Sequence, residues 1–151
     1  MRRLLLPIAL ATIVAACGSS DEAATTTHTH TAGDLTHVHS MLEPIEAAGD
    51  PLPTVSLAVT ADPVSGFNVH ADVEHLEWAP EKAGLDHVDG EGHAHVYVDG
   101  EKVARIYGEW YHLTGVAAGT HTVTVTLNTN THAPYAIGGV EISDTVTIDA
   151  G

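Results

Sequence analysis

His93 and His95 stand two residues apart in the run Gly92-His93-Ala94-His95-Val96-Tyr97-Val98-Asp99-Gly100, within a chain that has 12 histidines and only 5 Lys plus Arg. Side chains on an extended strand alternate faces. His93, His95 and Tyr97 therefore share one side, and Ala94, Val96 and Val98 the other. Two imidazoles on one strand face start roughly 6–7 Å apart at the backbone. Both rings can converge on one ion, with each nitrogen about 2.0–2.1 Å from it. The chemistry this spacing offers is coordination of a transition metal.

Three further histidines are candidates for the same site. His112, in Trp110-Tyr111-His112-Leu113, follows the Lys102–Tyr107 strand through Gly108 and reaches the site if that segment folds back along the sheet. His132 lies in the Asn128–Tyr135 loop, and loop ends of sandwiches commonly carry sites. His121 shares the phase of Val123, Val125 and Leu127 and is expected to point inward, either as a ligand or as a neutral core histidine bonded to a carbonyl. Tyr97, Trp110 and nearby carboxylates would shape the site. His70 beside Asp72, and His75 and His87 among Glu74, Glu77, Asp86, Asp89 and Glu91, read as solvated polar positions.

The ligand inventory narrows the metal. Cys17 is the only cysteine, so the domain has neither a thiolate ligand nor a disulfide. Met41 is the only methionine after Met1, which argues against thioether capture of Cu(I). Imidazoles without thiolate favour Zn(II) or Cu(II). Because imidazole must be neutral to bind, affinity is expected to fall as pH drops through about 6.5. There is no His-Glu-x-x-His pair, phosphate-binding loop or Gly-x-Ser-x-Gly turn. Glu109 is the nearest candidate for a general base.

The elements that must position these residues begin near Thr54. Val55, Leu57 and Val59 alternate with polar neighbours, as do Phe67, Val69, Ala71 and Val73. Ala94, Val96 and Val98 continue the pattern, and Asp99-Gly100 turns the chain into a strand over Lys102–Tyr107. Val123, Val125 and Leu127 follow, and Val140, Ile142, Val146 and Ile148 keep one phase across Asp144. Six or seven short strands over about 100 residues predict an all-β fold, a single antiparallel immunoglobulin-like β-sandwich spanning residues 54–151.

Residues 1–16 read as a signal peptide, with Arg2 and Arg3 ahead of an apolar run too short for a comfortable membrane span. Val14-Ala15-Ala16-Cys17 resembles the lipobox of bacterial lipoproteins, which implies lipidation of Cys17 and cleavage before it. Residues 17–53 read as a flexible, His-rich tether with too few apolar side chains to offset its ordering entropy. Its His28, His30, His37 and His39, in two His-x-His pairs, are candidates for loose metal capture. Residues 41–48 could add a helical turn or two around Pro44. Gly18 and Ser19 carry no aspartate-type inner-membrane signal.

The formal net charge of the chain is −15. Loss of Arg2 and Arg3 makes it two units more negative and leaves Lys82, Lys102 and Arg105 as the only strong bases. Such a surface repels nucleic acid and anionic lipid headgroups.

Gly92 to Gly100, then Arg105, Tyr107, Trp110, His112, Gly119, His121, Leu127, Asn128 and His132 resemble a group of small exported bacterial His-rich β-sandwich lipoprotein domains. The resemblance covers about residues 85–150 and implies a sandwich with metal binding. The sequence thus points to an envelope lipoprotein, facing the periplasm or exterior, that binds, buffers or delivers copper(II) or zinc(II). Its expected partners are the ion, the membrane through the lipid, and a metal-delivery protein. A structural or adhesive lipoprotein domain is the alternative reading. A metal-dependent oxidoreductase or hydrolase is the next.

Overall fold

The computed structural model describes residues 42–151. Residues 1–16, read above as a signal peptide, Cys17 and the candidate tether ligands His28, His30, His37 and His39 lie outside the described residues. The fold is all-β, with strands β1 (Ile45–Glu46), β2 (Thr54–Ala61), β3 (Phe67–Glu74), β4 (Glu77–Trp78), β5 (Glu91–Val98), β6 (Glu101–Ile106), β7 (Trp110–Leu113), β8 (Gly119–Thr129), β9 (Tyr135–Ile137), β10 (Val140–Glu141) and β11 (Ser143–Ala150). Among the described residues a single 3-10 turn, Pro80–Lys82, interrupts them. Among the described residues no helix is long and apolar enough to cross a membrane.

The strands form three sheets: β11-β8-β5-β4 with β6 also on β5, β2-β3-β7, and the small β1-β9-β10. Most pairs are antiparallel, but β4 joins β5 and β1 joins β9 in parallel, so the sheets are not purely antiparallel. The immunoglobulin-like topology expected from strand spacing is not established by this order. Pro44 lacks the N–H that a helical turn would use. The segment beyond it extends as β1, where Ile45 and Ala47 donate to Pro134 and Ala136 of the chain ahead of and within β9. The fold therefore starts before residue 54.

The two larger sheets share one core. Ala94, Val96, Val123, Val125, Leu127 and Ile148 meet Leu57, Val69, Ala71 and Leu113 there. Each fully buried Val or Leu contributes about 1.5–3 kcal/mol by leaving water. Asp144 also points toward this interface, where its Oδ2 accepts the Leu57 N–H at 2.8 Å and satisfies a donor on the edge of β2. The single phase expected over 140–148 is split at Ile142. Its N–H donates to Tyr135 and its carbonyl accepts from Leu127, which sends β10 to β9 and β11 to β8.

β5 is the strand that carries His93 and His95. β8 pairs along its whole length, and β6 and β4 divide its other edge. It is also buried on both faces between Gly92 and Tyr97, so His93 and His95 are interior residues rather than solvated ones.

Candidate metal centre

His93 and His95 project from the face of β5 opposite the aliphatic core. Cross-strand register puts Asn128 and Thr126 of β8 directly beside them. Directly opposed residues in an antiparallel ladder share a face. Gly92 permits the close approach at this point, since a Cβ there would run into the Asn128 carbonyl.

His132 arrives from a tight turn beyond β8. The Thr129 N–H and hydroxyl both donate to the Ala133 carbonyl, and the His132 N–H donates to Thr129 at 2.9 Å. Asn128 Nδ2 donates to the His132 carbonyl at 3.2 Å, while Asn128 Oδ1 accepts from the Thr126 hydroxyl at 2.8 Å. His132 sits at φ 72°. Histidine is among the residues that tolerate this left-handed region, at a cost of order 1–3 kcal/mol. The turn holds that strain and aims the ring back at β5.

The result is a triad. His93 Nε2 lies 3.0 Å from His95 Nε2 and 3.1 Å from His132 Nδ1. The three ligand atoms fall within 4.8 Å of one another, and the triad can hold a metal ion. Nitrogens arranged tetrahedrally at 2.0–2.1 Å from one ion are roughly 3.3–3.4 Å apart. A small spreading of the two close pairs, with His95 and His132 drawn together, creates that shell. His93 is 0 % exposed and His95 3 %.

Hydrogen bonding alone does not satisfy this arrangement. His93 Nε2 faces two ring nitrogens, but a neutral imidazole nitrogen has either one proton or one lone pair there. The opposite nitrogen, His93 Nδ1, is buried without a partner. A cation accepts all three converging lone pairs at once. The other nitrogen of His95 faces the Tyr97 hydroxyl at 3.4 Å, and the Tyr107 ring lies 5.5 Å from that of His93.

Burial keeps these rings neutral. It pushes His93 down to about 3, with the charges of His95, His132 and Arg105 adding to the effect. Burial also takes His95 to about 3, helped by Lys102, His132 and Arg105. His132 is lowered by burial and then by Arg105 and Lys102. Proton competition, expected near pH 6.5 for solvated imidazole, is thereby displaced into the acid range.

The structure does not bring His112 or His121 to this cluster. β7 pairs with β3 rather than with the β5–β6 hairpin, so His112 is on the three-stranded sheet, exposed, with Nδ1 3.4 Å from Asn68 Oδ1. Trp110 goes with it and stacks on His70, ring centroids 4.1 Å apart. Glu109 stands beside His70 at 3.7 Å, not beside the triad. His121 sits at the start of β8, at the opposite end from Asn128. Its Nδ1 meets Asp99 Oδ2 at 2.6 Å and its Nε2 the Ala117 carbonyl at 3.0 Å. With acceptors at both nitrogens it donates twice and is held as imidazolium. Its pKa is raised, chiefly by Asp99.

Asn128 and Thr126, which build the turn and floor of the site, were not signalled by residue type. The alternation of Thr122, Thr124, Thr126 and Asn128 with the aliphatic residues of β8 is the signal that could have found them, once β8 is paired with β5. Comparison with protein-family models, curated proteins and solved structures gives no match.

Proposed function

We propose that this protein is an envelope lipoprotein that binds a divalent transition metal, Zn(II) or Cu(II), through His93, His95 and His132, and buffers or delivers it. The observation that carries this reading is the convergence of two buried imidazoles and one half-buried one, all held neutral, whose converging lone pairs cannot all be used by hydrogen bonds. The donor set contains only nitrogen, which suits zinc and Cu(II). The lipobox-like Val14–Cys17 supports a lipid anchor at the membrane, and the His-x-His pairs at 28–30 and 37–39 support loose capture ahead of the triad. Three ligands leave one position of a tetrahedral ion open, which suits exchange of the ion with a delivery partner.

The test is elemental analysis of the untagged full chain after dialysis, followed by calorimetric titration with each metal. One tightly held ion per chain, lost in the His93→Ala, His95→Ala double variant, is expected. Equal affinity in that variant would remove the site and leave a structural or adhesive domain as the better reading.

A further inference from the structure

Lys102 and Arg105 are three residues apart on β6, so in a regular strand they would face opposite sides of the sheet. They do not. The β5–β6 register runs His95↔Arg105, Val96↔Ala104 and then Tyr97↔Lys102, leaving Val103 as an extra residue in a β-bulge. Bulges re-aim side chains in this way. Both cations therefore share the face that carries His93, His95 and Tyr97. Both are exposed. Beyond the leader arginines they are two of only three strong bases in a chain with 20 acidic residues. Lys82, the third, is bonded to Glu91 at 2.6 Å. Among the described residues neither Lys102 nor Arg105 forms an ion pair, and the Arg105 guanidinium instead donates to the Tyr107 hydroxyl at 3.4 Å.

This placement conflicts with a bare cation site. Three imidazoles bring no negative charge, so a divalent ion in the triad keeps its full charge beside two unpaired cations at the edge of a dry interior. Among the described residues no carboxylate belongs to the cluster. An anion resolves the conflict. We infer that the triad takes its metal together with a small planar oxyanion, of carboxylate or carbonate type, bound at the open position of the ion and held by Arg105 and Lys102. The guanidinium fork matches two oxygens of such an anion, and the Lys102 ammonium adds a point charge. The inference rests on the metal-site reading and names what accompanies the ion there.

The test is calorimetric titration of the full chain with Zn(II), first with perchlorate as the only anion and then with added formate or bicarbonate. Zinc affinity is expected to rise about tenfold with either added anion, a coupling within the usual range for linked sites. In the Arg105→Gln, Lys102→Gln double variant, zinc should bind more tightly in perchlorate, because the repulsion is gone, and the anion should add nothing. An anion-independent affinity in the natural chain overturns the inference, as does an equal gain in the double variant. A further arm with added phosphate checks the shape of the anion, and a gain there with none from formate or bicarbonate overturns the planar geometry. Failure of zinc to bind in any buffer is a different result and removes the metal site itself. Formate and bicarbonate give separate arms, so a monocarboxylate and free carbonate are distinguished.

Discussion

β8 carries a different histidine environment at each of its ends. At the Gly119 end, His121 is part-exposed and donates to Asp99 and to the Ala117 carbonyl. At the Thr129 end, His93 and His95 lie beside Thr126 and Asn128, sealed from water, and among the described residues no carboxylate is part of their cluster. The first environment raises the histidine pKa and the second lowers it, by the same rule. A carboxylate that remains solvated stabilises an imidazolium, whereas burial among other imidazoles and near Arg105 excludes a proton. The comparison shows why a count of histidines says little. Position along one strand decides whether the side chain works as a charged clasp or as a neutral ligand.

The comparison breaks most sharply at the ligands. His93→Ala should weaken zinc or Cu(II) binding by at least about a hundredfold, the upper end of what outer partners alone cost. His121→Ala and His112→Ala should leave it unchanged, as read by calorimetry. Gly92→Ala should come close behind. A Cβ forced against the Asn128 carbonyl must push β5 from β8, and both metal affinity and thermal stability should fall.

Acid sharpens the contrast. In metal-free protein, the folded-state values of about 3 for His93 and His95 lie below the ordinary 6.5. The unfolded chain then binds more protons between those limits, so stability must decline as pH falls from 6.5 toward 3. The slope approaches about 1.4 kcal/mol per pH unit for each histidine. Urea midpoints measured across that range check it. A flat profile would mean that the rings titrate as solvated groups.

The smallest effect belongs to the other end of β8. His121 is raised above 6.5, so its contribution is complete below that pH and fades as pH rises through its folded value. Asp99 is lowered from 3.8, chiefly by His121, so its contribution is complete above 3.8 and fades as pH falls through the lowered value. Asp99→Asn should therefore lower Tm slightly, most between these limits, with the deficit shrinking as pH rises through the raised His121 value. The pair is exposed to solvent, which keeps the effect small.

The sequence made part of this site legible for a local reason. The phase of His93, His95 and Tyr97 depends only on the two-residue repeat of a strand, and the repeat holds in β5. The aliphatic alternation of β2, β3 and β8 held likewise. What failed was non-local. Nothing within Trp110–Leu113 states that its partner is β3, so His112 was expected on the wrong sheet. His132, a candidate from its place in the loop after β8, does join His93, but the turn of Asn128 and Thr129 that aims it across 39 residues is not written in residue types. The bulge at Val103 is invisible in residue types, yet it alone puts Lys102 on the histidine face. The inward phase of His121 was read from its strand neighbours, but the strand end is open to water and Asp99 claims the ring.

The most direct measurement is anomalous diffraction from crystals of the zinc-loaded protein. A single strong peak is expected about 2.0–2.1 Å from each of His93 Nε2, His95 Nε2 and His132 Nδ1. Zinc density confined to the exposed histidines, such as His75 and His112, with none between these three nitrogens, would contradict the account.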